Sequence, residues 1–325
     1  MTVTAAVCAE HGPPETVAIQ TIPSRKLAPG QVRIQVEYAA VNFPDVLVVA
    51  DEYQISVPAP FVPGSEYTGI VTEIRETEGR FAVGDRVMGT GLYGAFATEV
   101  VAEARSVSDV PHGVSLRLAA AGGVAYRTAY HALRSVARVQ PGDPVVVLGA
   151  GGGVGLAAVA LATELGAEVI AVASSAEKLD AAKLHGATGL INHRETDLRN
   201  ALKEHLDPGA AAVIDPVGGA LSEPALRSLR RGGRFVTIGF ASGEIPRIPL
   251  NLVLVKGIQI MGFQFGDIAR DEFTRNEDEL RQLITSRRVE PFVGAEYPLA
   301  DAAQALRLVA DGRAVGKVLL HVNDN

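Results

Sequence analysis

The chain has 325 residues, 47% of them hydrophobic and 21% charged, a composition that fills hydrophobic cores and excludes a disordered or fibrous polymer. That length exceeds what one small core organises, so two lobes are expected. With 30 basic against 37 acidic residues and a net charge of −7, there is no bulk positive field for gripping phosphate backbone or anionic lipid, and nucleic acid is not expected as the main ligand.

From residue 2 to about 107 the pattern is of short extended segments punctuated by Pro and Gly. Residues 31–41, 69–74, 85–88 and 97–102 are predicted strands of a β-rich lobe, with one helical stretch at 45–50. From about 118 to 264 strands and helices alternate, which implies a parallel sheet with helices on both faces. The predicted strands are 144–148, 168–173, 190–192, 212–215, 234–239 and 258–263, the six of a doubly wound α/β sheet. The tail holds two amphipathic helices, 271–288 and 301–310, with Leu280, Leu283 and Ile284, then Ala302, Ala305, Leu306 and Val309 at helical spacing. A last strand is predicted at 317–322. Both helices are expected to return to the first lobe, giving a division of 1–118 with 265–325 around an inserted 119–264.

The one long uncharged run, residues 144–163, is broken near its middle by Gly149, Gly151, Gly152, Gly153 and Gly155. That suits a strand, a tight turn and a buried helix, not a membrane span. One cysteine, Cys8, makes neither an internal disulfide nor a multi-thiolate zinc site, and residues 1–15 show no basic segment leading into an apolar one. The expectation is a reducing, cytoplasmic compartment.

The segment Pro144-Val-Val-Val-Leu-Gly149-Ala-Gly-Gly-Gly-Val-Gly155 places an Ala150-x-Gly152-x-x-Gly155 spacing between an apolar strand and a helix, the context in which such a motif binds a dinucleotide. The first small residue permits the turn, Gly152 admits a pyrophosphate against backbone, and Gly155 lets the helix sit on the strand. Ala150, Gly151, Gly152, Gly153 and Val154 are therefore candidate phosphate-binding residues, at the positive end of the helix dipole. A cofactor with a free ribose 2′-OH calls for Asp or Glu about twenty residues on. The chain instead has Ser174 and Ser175, then Lys178. Hydroxyls and an ammonium suit a 2′-phosphate that a carboxylate repels, so NADPH is expected over NADH.

Taken with the motifs Val41-Asn-Phe-Pro-Asp45, Phe61-Val-Pro-Gly-Ser-Glu66, Gly84-Asp-Arg-Val87, Tyr126-Arg-Thr-Ala-Tyr-His-Ala132, Asp215-Pro-Val-Gly-Gly219, Gly232-Gly-Arg-Phe-Val-Thr-Ile-Gly239 and Gly312-Arg-Ala-Val-Gly-Lys317, the chain resembles the zinc-independent quinone oxidoreductase branch of the medium-chain dehydrogenase/reductase superfamily over essentially its whole length. The resemblance implies a Rossmann domain inserted in a GroES-like catalytic domain that the C-terminal segment completes. In zinc-dependent relatives a cysteine stands at the position of Asn42 and a histidine at that of Ser65. With those ligands replaced and the seven histidines unclustered, no metal site is expected.

The resemblance further implies that Thr128 meets the nicotinamide carboxamide, and that Phe240 and Ala241 lie at the nicotinamide-ribose end. Phe263 and Phe265 border the nicotinamide, and Lys317 approaches a cofactor phosphate. His193 stands where many relatives carry a tyrosine that flanks the adenosine phosphate. Arg127 replaces the usual glycine between Tyr126 and Thr128; its guanidinium either holds an acidic substrate group or cofactor phosphate, or points to solvent.

The chemistry expected is hydride transfer to a quinone, with the developing oxyanion met by the Asn42 amide and the Tyr53 hydroxyl as candidate catalytic groups. Asp45, at a helix start, is expected to bind nearby backbone. The alternatives are reduction of the C=C bond of an enone or enoyl thioester with Tyr53 as proton donor, and a non-catalytic cofactor- or RNA-binding role, which the acidic balance disfavours. An unprotected apolar edge strand at 257–264 suggests a homodimer, as the family also implies.

Overall fold

The computed structural model describes residues 2–75 and 79–323. The chain divides into two compact units, Met1–Val124 with Pro291–Asn325, and Ala125–Glu290.

The first unit is built on the eleven-residue strand Gln31–Val41, whose alternate residues Val32, Ile34 and Val36 are fully buried. It pairs antiparallel with Glu66–Ile74, which pairs with Arg86–Thr90. On its other side lies Lys317–His321, the last strand of the chain, which runs parallel to Val293–Pro298. The C-terminal segment thus completes this unit's sheet, and the helix Ala302–Ala310 buries Ala302, Ala305 and Leu306 in the same core. Strand register fixes a further neighbour. Val318 stands opposite Val41, so Lys317 enters the sheet beside Asn42, the residue before the helix Phe43–Ala50.

The second unit is a six-stranded parallel sheet in the order Gly189–Asn192, Glu168–Ala173, Pro144–Leu148, Ala210–Asp215, Leu229–Thr237, Gln259–Met261. The chain starts in the middle, winds outward to one side, and restarts on the other. The strand order therefore reverses between Pro144–Leu148 and Ala210–Asp215, and the crevice at the carboxyl ends of these strands is where open α/β sheets bind ligands. Val145 to Leu148 are fully buried, as a central parallel strand covered on both faces requires. The strands at 144–148 and 168–173 match their predicted limits, because continuous apolar runs bounded by Pro and Gly leave little choice of end.

Both limits of the inserted unit lie later than the expected 119 and 264, the first by six residues, at Ala125. Residues 265–290 belong with the second unit, and the inserted domain ends near Glu290. The helix Arg270–Thr285 is tied there by Asn276, Glu277 and Glu279 to residues 127–135. Amphipathic spacing reveals that a helix has a face to bury; it does not name the surface that buries it.

The last strand, Gln259–Met261, is the edge of its sheet. Beside it in sequence, the helix Leu250–Lys256 leaves Leu250, Leu254 and Val255 exposed, at 75%, 82% and 68%. Among the described residues no helix is long and apolar enough to cross a membrane.

Candidate cofactor and active site

The glycine turn follows Leu148 directly. At Gly149, φ is +60°, a conformation glycine adopts without strain. A Cβ on Gly155 would stand 2.0 Å from the Gly149 carbonyl oxygen, so the helix Gly153–Glu164 lies against the turn only because that position has no side chain. Gly152, the N-cap of this twelve-residue helix, is different: a Cβ there would come no closer than 3.5 Å to any atom of the chain. The fold itself does not demand glycine at 152, and the open space faces the helix N-terminus. The N–H groups of Ala150 and Gly152 are spent on the carbonyls of Val172 and Gly149. Those of Gly153 and Val154, in the first turn, have no partner within the helix. Such a turn fits a pyrophosphate.

At the carboxyl ends of the next two strands three basic side chains gather. Lys178 Nζ lies 3.5 Å from Ser174 Oγ. Burial, and then the charge of Arg194, lowers the Lys178 pKa; the His193 pKa is lowered by burial and by both Arg194 and Lys178. The Lys178 and Arg194 cations thus create a positive potential that favours an anionic group, with the His193 ring held toward its neutral form beside them. Gly151 is pressed against the stem of Lys178, where a Cβ would approach its Cβ to 2.4 Å; the glycine turn and the basic cluster are one surface. Ser175 is the N-cap of the helix Ala176–Leu184 and accepts from the Lys178 N–H, which leaves Ser174 as the hydroxyl beside the ammonium. Arg194 was missed in the sequence; its signal was its place beside His193 at the end of a predicted strand.

In the first unit, Asn42 is the centre of a buried polar cluster. Lys317 Nζ donates to Asn42 Oδ1 at 2.6 Å, and Asn42 Nδ2 donates to Glu66 Oε2 at 3.0 Å. Glu66 Oε2 is also 3.6 Å from Lys317 Nζ, and Glu66 Oε1 accepts from the Val124 N–H at 2.7 Å. Gly123 is obligatory for this, because a Cβ there would come within 1.7 Å of Glu66 Oε1. Asp45 Oδ2 accepts from the Asn42 N–H at 2.7 Å, while Asp45 Oδ1 is buried without a partner. Desolvation pushes the Asp45 carboxyl up to about 7. Asp45 is thus a partner of local backbone, as its place at the helix start suggested. The Lys317 ammonium fixes which way the Asn42 amide faces. Among the described residues no group of three or more His, Cys, Asp or Glu is arranged to hold a metal ion.

Comparison with known proteins identifies this layout. The alcohol dehydrogenase GroES-like domain family matches residues 28–112, and the zinc-binding dehydrogenase family matches residues 153–282. Quinone oxidoreductase-like protein 2 of Bos taurus is 36% identical over 321 residues, 97% of this chain and 91% of the relative. The chain belongs to the quinone oxidoreductase branch of the medium-chain dehydrogenase/reductase superfamily. Escherichia coli quinone oxidoreductase, solved complexed with NADPH, superposes with a TM-score of 0.89 at 28% identity, covering 98% of this chain and 99% of that one. A mycobacterial protein complexed with NADPH gives 0.88 at 31% identity, covering 98% and 99%.

The chain is an oxidoreductase of this family, and its expected site residues lie at identifiable places in the two units. Thr128 lies on the helix Val124–His131, and Phe240 and Ala241 follow the strand Leu229–Thr237 at its carboxyl end. The loop beneath them is held by Asp215, fully buried, whose Oδ1 accepts from the Val217 and Gly218 N–H groups and whose Oδ2 accepts from Ser222. Phe263 and Phe265 leave the edge strand at the same end, with ring centres 6.0 Å apart. Lys317, expected near a cofactor phosphate, is instead 3% exposed with its ammonium on Asn42. Arg127 neither points freely to solvent nor offers an unpaired guanidinium; its Nε donates to both Glu277 oxygens, at 2.8 and 3.0 Å. Tyr53 is half-buried against the core of the first unit, and its hydroxyl makes no hydrogen bond among the described residues.

Proposed function

We propose that the protein is an NADPH-dependent reductase that transfers hydride to a quinone or related conjugated carbonyl without a catalytic zinc ion. The observation that carries this reading is the continuous surface of glycine turn and basic cluster, with room for a pyrophosphate at Gly152 and, for a 2′-phosphate, Lys178 beside Ser174 with Arg194 and His193 close to that ammonium. Gly151, Gly152, Gly153 and Val154 would hold the pyrophosphate, and Ser174, Lys178, His193 and Arg194 the 2′-phosphate. The bound dinucleotide supplies the hydride. The relatives solved complexed with NADPH support the same choice of cofactor.

The residues at the zinc positions of other family members are an amide and a hydroxyl, Asn42 and Ser65, and the Lys317 ammonium already occupies the oxygen of that amide. An amide and a hydroxyl are weak ligands for zinc, and the ammonium beside them repels a dication. Its remaining use is polar: Asn42 Nδ2 keeps one hydrogen on Glu66, while its next contacts, to Ala40 O and Ser65 Oγ, are long at 3.4 Å. That second hydrogen is available to an oxyanion. Tyr53, with its uncommitted phenol, is the second donor and the group able to release a proton.

The test is steady-state NADPH oxidation with small quinones, beside trans-enoyl thioesters and enones, with zinc measured by elemental analysis. Turnover of quinones by metal-free protein is expected. Turnover of no quinone rejects the reading, and stoichiometric zinc rejects the metal-free site. A homodimer paired along Gln259–Met261 and covering Leu250, Leu254 and Val255 belongs to the same proposal. Light scattering should give twice the chain mass, and a monomer at micromolar concentration contradicts it.

A further inference from the structure

Arg127 belongs to a closed set of contacts that no phosphate or substrate role requires. Its Nε donates to both oxygens of Glu277, and Glu277 Oε1 also accepts from His131 Nε2 at 3.0 Å. The His131 tautomer follows from its other nitrogen. Asn276 Nδ2 lies 3.2 Å from His131 Nδ1 and 2.8 Å from Ser135 Oγ; an amide NH2 only donates, so Nδ1 accepts and the ring proton sits on Nε2, facing Glu277. Burial works to raise the Glu277 pKa, and the hydrogen bond from His131 with the charge of Arg127 outweighs it, so the carboxylate stays ionised. Glu277 and Asn276 thereby anchor the helix Arg270–Thr285.

The same guanidinium also lies over two aromatic rings. Its carbon stands 5.2 Å from the centre of the Phe265 ring and 5.8 Å from that of Phe273. Phe265 is met edge-on by Phe263, His131 and Phe273, at 6.0, 5.5 and 6.1 Å. Phe263 and Phe265 sit just past the carboxyl end of the edge strand, the side of the sheet on which the glycine turn lies. A ring there is fixed by its edges and by the cation over its face; its backbone is held by one short turn, in which the Phe265 carbonyl accepts from the Ile268 N–H, and Phe265 itself is only half-buried.

We propose that Arg127 is a positioning residue for the substrate site: lying over Phe265, with its edge held by Glu277, it keeps the aromatic wall of residues 263–265 in one place. This rests on the reading of the protein as a quinone or conjugated-carbonyl reductase. Glu277 holds the guanidinium's edge, and only a planar cation can do both tasks at once. Lysine can reach the carboxylate but presents no flat face to the ring.

Two variants separate wall positioning from mere anchoring of the helix. Arg127→Gly removes both contacts, and Arg127→Lys keeps the pair with Glu277 while losing the stacking. KM for a small quinone is expected to rise about tenfold in both, with kcat within about twofold. Independently of any substrate, hydrogen exchange of the amides of residues 262–269 in the cofactor-free protein is expected to quicken about tenfold in both variants, whereas the helix Arg270–Thr285 loosens only in Arg127→Gly. Wild-type behaviour of Arg127→Lys in KM and exchange, or unchanged exchange at 262–269 in Arg127→Gly, overturns the proposal. If the wild type turns over no quinone or enone, the functional reading fails instead, and exchange alone then decides whether Arg127 fixes the wall.

Discussion

Replacing Asp45 by asparagine should change how stability depends on pH, in a direction opposite to that of an ordinary carboxylate. Asp45 is fully buried, its Oδ1 has no partner, and its carboxyl is pushed up to about 7 by desolvation. Hydrogen bonding from the Asn42 N–H and from Ser65, and then the Lys317 ammonium, oppose this, and the Glu66 carboxylate adds to it. In the unfolded chain the same group ionises near its ordinary value of 3.8. Between those values the folded protein binds a proton that the unfolded chain has lost, so raising the pH weakens the fold. The contribution is fully present below about pH 4 and gone above about pH 7, a total of about 4 kcal/mol at 1.36 kcal/mol per unit. Between about pH 5.5 and 8.5, where other carboxylates are already ionised, about 2 kcal/mol of it is lost.

The asparagine side chain mimics the protonated acid: its oxygen can accept from the Asn42 N–H, and it does not titrate. Urea unfolding of both proteins across that window should therefore show Asp45→Asn gaining about 2 kcal/mol relative to wild type from low to high pH. A difference between the two proteins that is flat with pH, or that moves the other way, refutes the claim that Asp45 is held protonated by burial.

Loss of the basic cluster should cost NADPH and spare NADH: Arg194→Ala or Lys178→Ala is expected to weaken NADPH binding about 10- to 100-fold by calorimetric titration, with NADH within about twofold, because each removes a charge-assisted contact to one phosphate. The two glycines of the turn should fail differently. Gly152→Ala is expected to keep the wild-type melting temperature and lose NADPH binding, while Gly155→Ala, whose Cβ meets the Gly149 carbonyl oxygen at 2.0 Å, should lower the melting temperature even without cofactor. Lys317→Met leaves Glu66 buried without its cation and should destabilise the protein by about 3–5 kcal/mol in urea unfolding, with Lys317→Met/Glu66→Gln recovering part of the loss.

Local pattern carried much of this protein. Continuous apolar runs ended by Pro or Gly reveal the strands Pro144–Leu148 and Glu168–Ala173, since a parallel strand buried on both faces has no polar positions. The glycine spacing was legible because the turn, the helix start and the backbone approach are made by residues adjacent in sequence. The absence of an acidic residue after the second strand pointed to a 2′-phosphate for the same reason: Ser174 and Lys178 belong to one short strand-to-helix connection.

What only the tertiary structure decided are the partners of charged side chains. Arg127 meets Glu277 across 150 positions, and Lys317 meets Asn42 across 275. Nothing near Arg127 in sequence distinguishes a guanidinium that holds a carboxylate from one that holds a phosphate or faces water, and Lys317 reaches Asn42 only because strand register sets Val318 opposite Val41. A long flexible side chain carries its charge in the sequence, but its partner depends on which distant backbone segments are brought together, and that is settled by packing of apolar faces, not by the charge itself.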